Sequence, residues 1–109
     1  MVEKDRQRSY SWYLDKEKKN KAFIRFVFTS DGKSLEEFSV SYCLIIDEKP
    51  REILRYDCSA REKAHMHQFF RNHHEKKNLD KEISYDTMQE FVDNIEKKWR
   101  QYLTKFKEK

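Results

Sequence analysis

One glycine and one proline in 109 residues leave no Gly/Pro-rich linker, and Gly32 alone cannot build a loop that cradles phosphate. No G-x-G-x-x-G, P-loop, H-E-x-x-H or C-x-x-C occurs, so dinucleotide, nucleotide-triphosphate, zinc-protease and thiol-redox functions have no motif behind them. No run approaches the roughly 20 apolar residues of a membrane helix, and residues 1–21 are too polar for a signal-peptide core. The expected location is the cytoplasm, with no membrane partner. The two cysteines, Cys43 and Cys58, are then expected as thiols, since a cytosolic chain stays reduced. Charge of one sign is also lacking, because 24 basic residues face 20 acidic ones and leave a net +4. That excess allows an anionic partner but excludes a dedicated nucleic-acid coater.

What is present is charge and aromatic mass: 40% charged, 37% hydrophobic and 15% aromatic residues, with mean hydropathy -1.14. Disordered chains are poor in aromatics, so the composition predicts one small, highly solvated folded domain over residues 1–109. The front half reads as strands. Tyr10, Trp12 and Leu14 recur at period two, as do Ile24, Phe26 and Phe28, then Phe38, Val40, Tyr42, Leu44 and Ile46. A fourth strand covers Ile53–Cys58. Hairpins pairing Leu44 with Leu54, Phe28 with Phe38 and Trp12 with Ile24 put every even-numbered strand residue on one dry face. Arg25, Ser39, Ser41, Cys43, Arg55 and Asp57 fall on the other, which also separates Cys43 from Cys58.

From Ser84 the period lengthens. Met88, Phe91, Val92, Ile95, Trp99, Tyr102, Leu103 and Phe106 form one apolar stripe at helical spacing, with Ser84 or Asp86 as cap. Such a helix must bury its stripe, and the even face of the sheet is what it can cover. Between them, Ser59-Ala60-Arg61-Glu62 spells a capping box, which would open a helix through Phe70. The preferred alternative is a strand over His65–Arg71, because a helix there scatters Met66, Phe69 and Phe70. The expected fold is therefore α+β: an antiparallel β-meander of four or five strands over about 9–71, packed against one long C-terminal amphipathic helix over about 85–107.

Four histidines, His65, His67, His73 and His74, fall within ten residues. On a strand, His65-x-His67 aims both rings at one face, where Asp57, Cys58 or His73 would complete a metal site. One histidine pair is more often a hydrogen-bonded surface feature, so neither a metal nor any cofactor is assigned. Arg55 and Asp57 share that polar face. The plain reading is a structural ion pair. The sharper one joins Arg55, Asp57, His65 and His67 into a catalytic set: imidazoles exchange protons near neutral pH and an arginine holds phosphate in two places. That chemistry would cleave an RNA phosphodiester without metal. Arg25, Lys63, Arg71, Lys76 and Lys77 are the candidate nucleic-acid contacts, with Tyr13, Phe69 and Tyr85 as stacking residues.

Arg55-Tyr56-Asp57, His65-x-His67, a basic loop and a final helix with Asp93-Asn94-Ile95 and Trp99-x-x-Tyr102 resemble a family of small prokaryotic proteins. Related sequences with an R-Y-D and downstream histidines include toxin components of toxin–antitoxin modules of the TumE type. The likeness spans about residues 38–106, departing at Cys58-Ser59-Ala60, which has no glycine before the histidines. It implies a toxin acting on RNA, an antitoxin partner, and Arg55, Asp57, His65 and His67 as site residues. A non-enzymatic protein-interaction or assembly domain is the rival reading, and a metal-dependent hydrolase the third. Whether the chain is an enzyme stays open at this point.

Overall fold

A computed structural model describes residues 6–108; Met1–Asp5 and Lys109, the ends of the expected domain, lie outside them. Strands β1 (Gln7–Tyr13), β2 (Asn20–Phe28), β3 (Leu35–Ile46), β4 (Lys49–Ser59), β5 (His65–Phe69) and β6 (His74–Asn78) precede helix α1 (Tyr85–Glu108). They form one antiparallel sheet in sequential order, β1 to β6. The fold is α+β with six strands rather than four or five, and the sheet runs to Asn78 rather than stopping near residue 71. The added strand, His-Glu-Lys-Lys-Asn, is exposed throughout and has no apolar alternation. Backbone pairing along the outer edge of β5 makes it a strand. No helix among the described residues is long and apolar enough to cross a membrane.

Local chemistry sets the hairpins. In the β1–β2 loop the Asp15 carboxylate accepts the Lys19 and Asn20 amides, each at 3.0 Å, and the Asn20 side-chain amide at 2.8 Å. Between β3 and β4 only Asp47 and Glu48 turn, both at positive φ (51° and 65°), the left-handed pair that suits a two-residue hairpin. These tight closures slide each expected register by two residues: Tyr42 faces Leu54, Phe26 faces Phe38 and Trp12 faces Ala22. A two-residue slide preserves the faces. A bulge does not. Tyr42 pairs with Leu54 but Cys43 with Glu52, so Ile53 is an extra residue in β4 and the parity of Lys49–Glu52 inverts.

The helix covers the face of Phe38, Val40, Tyr42, Tyr56 and Cys58 with its stripe of Met88, Phe91, Val92, Ile95, Trp99 and Phe106. Tyr56 and Phe91 stack with ring centroids 4.1 Å apart, and Trp99 meets Tyr42 edge-on at 6.0 Å. Each such ring contributes about 1.5–3 kcal/mol on burial. Their polar tips are satisfied. Tyr42 donates its hydroxyl to Asn20, while the Asn94 amide donates to the hydroxyls of Tyr56 and Tyr102. Ser84 caps α1, accepting the Thr87 amide at 3.0 Å. Ser59 likewise accepts the Arg61 and Glu62 amides, but this closes a turn that leads into β5, so the capping box opens no helix. Beyond the reach of α1 the even-numbered face is open: Tyr10 and Ile46 are exposed. Cys43 and Cys58 are free thiols on opposite faces.

Candidate functional site

The face away from α1 carries the polar half of the alternation. The registers align Ser41, Arg55, His67 and Lys76 in one cross-strand row and Ser39, Asp57, His65 and Asn78 in the next. Asp57 and His65 thus lie directly opposite each other, as do Arg55 and His67. All four candidate catalytic side chains meet. Asp57 Oδ2 accepts from Arg55 Nε at 2.8 Å and lies 3.3 Å from His67 Nε2 and 4.0 Å from His65 Nε2. Both imidazoles are largely covered, 12% and 11% exposed, whereas Arg55 keeps 33% of its side chain in solvent.

Two residues that the sequence reading missed complete the cluster. Glu52 lies outside the strand expected over Ile53–Cys58, but β4 starts at Lys49 and the Ile53 bulge turns Glu52 to the polar face, where Arg55 Nη1 donates to its Oε1 at 2.6 Å. His74 lies on β6, a strand with no apolar signal, and its Nε2 is 2.8 Å from His67 Nδ1. The result is a continuous polar chain through Glu52, Arg55, Asp57, His67 and His74. Phe69 walls one side, stacking on His74 with centroids 4.6 Å apart and lying 5.8 Å from the Arg55 guanidinium.

Burial and charge act against one another here. Burial, then the nearby Arg55, lowers the His67 pKa below the usual imidazole value, with Asp57 pulling the other way. Burial raises the Glu52 carboxyl against the opposing pull of Arg55. For Arg55 itself burial opposes the charge, but Asp57 and Glu52 outweigh it and raise the pKa. Two carboxylates, Glu52 and Asp57, face the one guanidinium of Arg55. The Cys43 thiol on the same face is pushed up to about 11 by burial and by Glu52, so it is not a thiolate nucleophile at neutral pH.

The candidate nucleic-acid contacts separate. Arg25 shares the polar face on β2, ion-paired with Glu37 at 3.3 Å, and Lys76 shares it on β6. Lys63 is held by Asp80 at 2.8 Å, Arg71 sits exposed in the β5–β6 turn, and Lys77 points to the helix side, paired across the strands with Met66. Among the stacking candidates, Phe69 adjoins the cluster, whereas Tyr85 begins the helix that covers the other face. Of the three partners weighed for the histidine pair only Asp57 is present: Cys58 faces the helix side, and His73 pairs with Glu75 at 2.9 Å. Across β1–β3, Ser9, Ser11, Ser39 and Ser41 line a shallow trough of about 270 Å³ with Phe23 and Arg25, and Ser39 and Ser41 pair with Asp57 and Arg55 of the cluster.

No curated protein and no solved structure matches the chain. The family model described as Domain of unknown function (DUF7718) matches residues 1–109. The chain therefore belongs to the DUF7718 family.

Proposed function

We propose that the polar sheet face is an RNA-acting surface, with Arg55, Asp57, His65 and His67 at the reacting centre, in a cytoplasmic toxin of the kind found in toxin–antitoxin pairs. The observation that carries the reading is the convergence of those four side chains beside a serine-lined trough. Small side chains let a nucleic-acid backbone approach the sheet. Arg25 and Arg55 stand on either side of Ser39 and Ser41, where they can contact phosphates, and Phe23 offers a ring for a base. Arg55 uses Nε and Nη1 on carboxylates, which leaves Nη2 for a phosphate oxygen.

The test is incubation of purified protein with end-labelled RNA, alongside induced expression in a bacterial host. Wild type should cleave the RNA and arrest growth, and Arg55→Ala and His67→Ala should do neither while keeping the wild-type far-UV CD spectrum. Intact RNA with and without added divalent cation, together with harmless expression, would overturn the reading. A protein-interaction role is the second reading, favoured by the outer edge of β1, where six of seven residues are exposed and Tyr10 and Tyr13 stand in solvent. It predicts a partner whose capture is lost when Ser9 and Ser11 are replaced by proline and is indifferent to Arg55.

A further inference from the structure

We infer that Asp57, His65 and His67 bind one divalent transition-metal cation. Each offers one ligand atom, and these atoms lie within 4.8 Å of one another. Bonds of about 2.0–2.2 Å from imidazole nitrogen and carboxylate oxygen to zinc place neighbouring donors roughly 3–3.5 Å apart. His67 Nε2 is already 3.3 Å from Asp57 Oδ2, and His65 Nε2 at 4.0 Å is within a side-chain adjustment of that span. The donors stand on paired positions of two adjacent strands, so the backbone holds them without help from a loop.

The surroundings are those of a metal site. A ligating imidazole is ordinarily oriented by a partner on its other nitrogen. His67 Nδ1 has His74 Nε2 at 2.8 Å, and in the tautomer in which His67 donates its Nδ1 proton to His74 its Nε2 is a lone pair aimed at Asp57. In that tautomer two acceptors face each other at 3.3 Å, a contact that a cation between them relieves. His65 Nδ1 is buried without a hydrogen bond, and its nearest carboxylate, Glu62, stands 3.4 Å away. Asp57 is oriented by Arg55.

Two imidazoles and one carboxylate favour zinc, cobalt or ferrous iron over magnesium or calcium, which prefer oxygen donors alone. Three protein ligands on a solvent-facing sheet surface leave positions for water or an anion, as in sites that bind substrate. The charge also changes sense. Glu52 and Asp57 against Arg55 leave one net negative charge with neutral imidazoles; a bound dication makes it one net positive, which would attract a phosphate to the same spot.

The test is titration of Co²⁺, followed by its visible absorption, and of Zn²⁺ by calorimetry, into the full-length protein without RNA. One equivalent should bind. Asp57→Asn, His65→Ala and His67→Ala should each weaken binding by more than about 100-fold and His74→Ala by about 10–100-fold, the range for an orienting partner. His73→Ala should leave it unchanged. Binding that survives both His65→Ala and His67→Ala, or no binding of either cation, would overturn the inference. If the variants unfold, wild type decides: Co²⁺ should broaden the imidazole proton resonances of His65 and His67 while His73 stays sharp, and the reverse pattern refutes the site. Cation binding without RNA cleavage removes the RNA reading alone, and RNA cleavage without cation binding removes the metal alone.

Discussion

Replacing Trp99 by alanine removes the centre of the contact between α1 and the sheet. The indole is 7% exposed, meets the fully buried ring of Tyr42 edge-on at 6.0 Å, and has the Arg100 guanidinium 4.4 Å from its centroid. Truncation to a methyl forfeits the transfer of the indole out of water and leaves a void against Tyr42 that the paired strands cannot close, which together cost about 3–5 kcal/mol. A domain of this size is stable by only about 5–15 kcal/mol, so the loss is a large fraction of the whole. With a urea m-value of about 1–3 kcal/mol/M, the midpoint should fall by at least about 1 M. The melting temperature should drop by upwards of about 12 °C, at about 4–8 °C per kcal/mol. Far-UV CD reads both transitions without relying on the deleted fluorophore. Tyr85→Ala, at the exposed start of the same helix, should change stability by less than about 0.5 kcal/mol. A Trp99→Ala midpoint within error of wild type would mean that the helix does not use this stripe to cover the sheet.

The Cys43 thiol, raised to about 11 by burial and Glu52, is neutral when folded and ionises in the ordinary thiol range when unfolded. Its contribution to stability is therefore fully present below that range and lost as pH rises through about 11, a loss that Cys43→Ala should remove from the pH–stability curve. Neither cysteine should react with Ellman's reagent at pH 8 until the protein is unfolded; rapid native labelling would refute the burial of both thiols.

The faces of the sheet were legible in the sequence because a period-two pattern survives any even slide of register. For that reason Arg55, Asp57, His65 and His67 could be assigned to one side although the first three hairpins close two residues away from the pairing the apolar residues suggest. The α1 stripe was legible for a related reason: eight apolar residues at three- and four-residue steps admit one docking face. Glu52 was not, because the Ile53 bulge changes parity inside a strand and leaves no mark in composition. His74 was not either, since β6 is held by edge hydrogen bonds and buries no side chain. Both missed residues supply contacts to the cluster, His74 to an imidazole and Glu52 to the guanidinium, and both depend on backbone geometry rather than hydrophobic pattern.

The most direct test of the polar face as the working surface is a titration of ¹⁵N-labelled protein with a short single-stranded RNA, followed amide by amide. Shifts should concentrate at Arg25, Ser39, Ser41, Arg55 and His67, saturate together, and weaken as salt is raised, as phosphate contacts require. Shifts confined to the outer face of α1 around Gln89, Glu96 and Lys97, or none at all at millimolar RNA, would contradict the account.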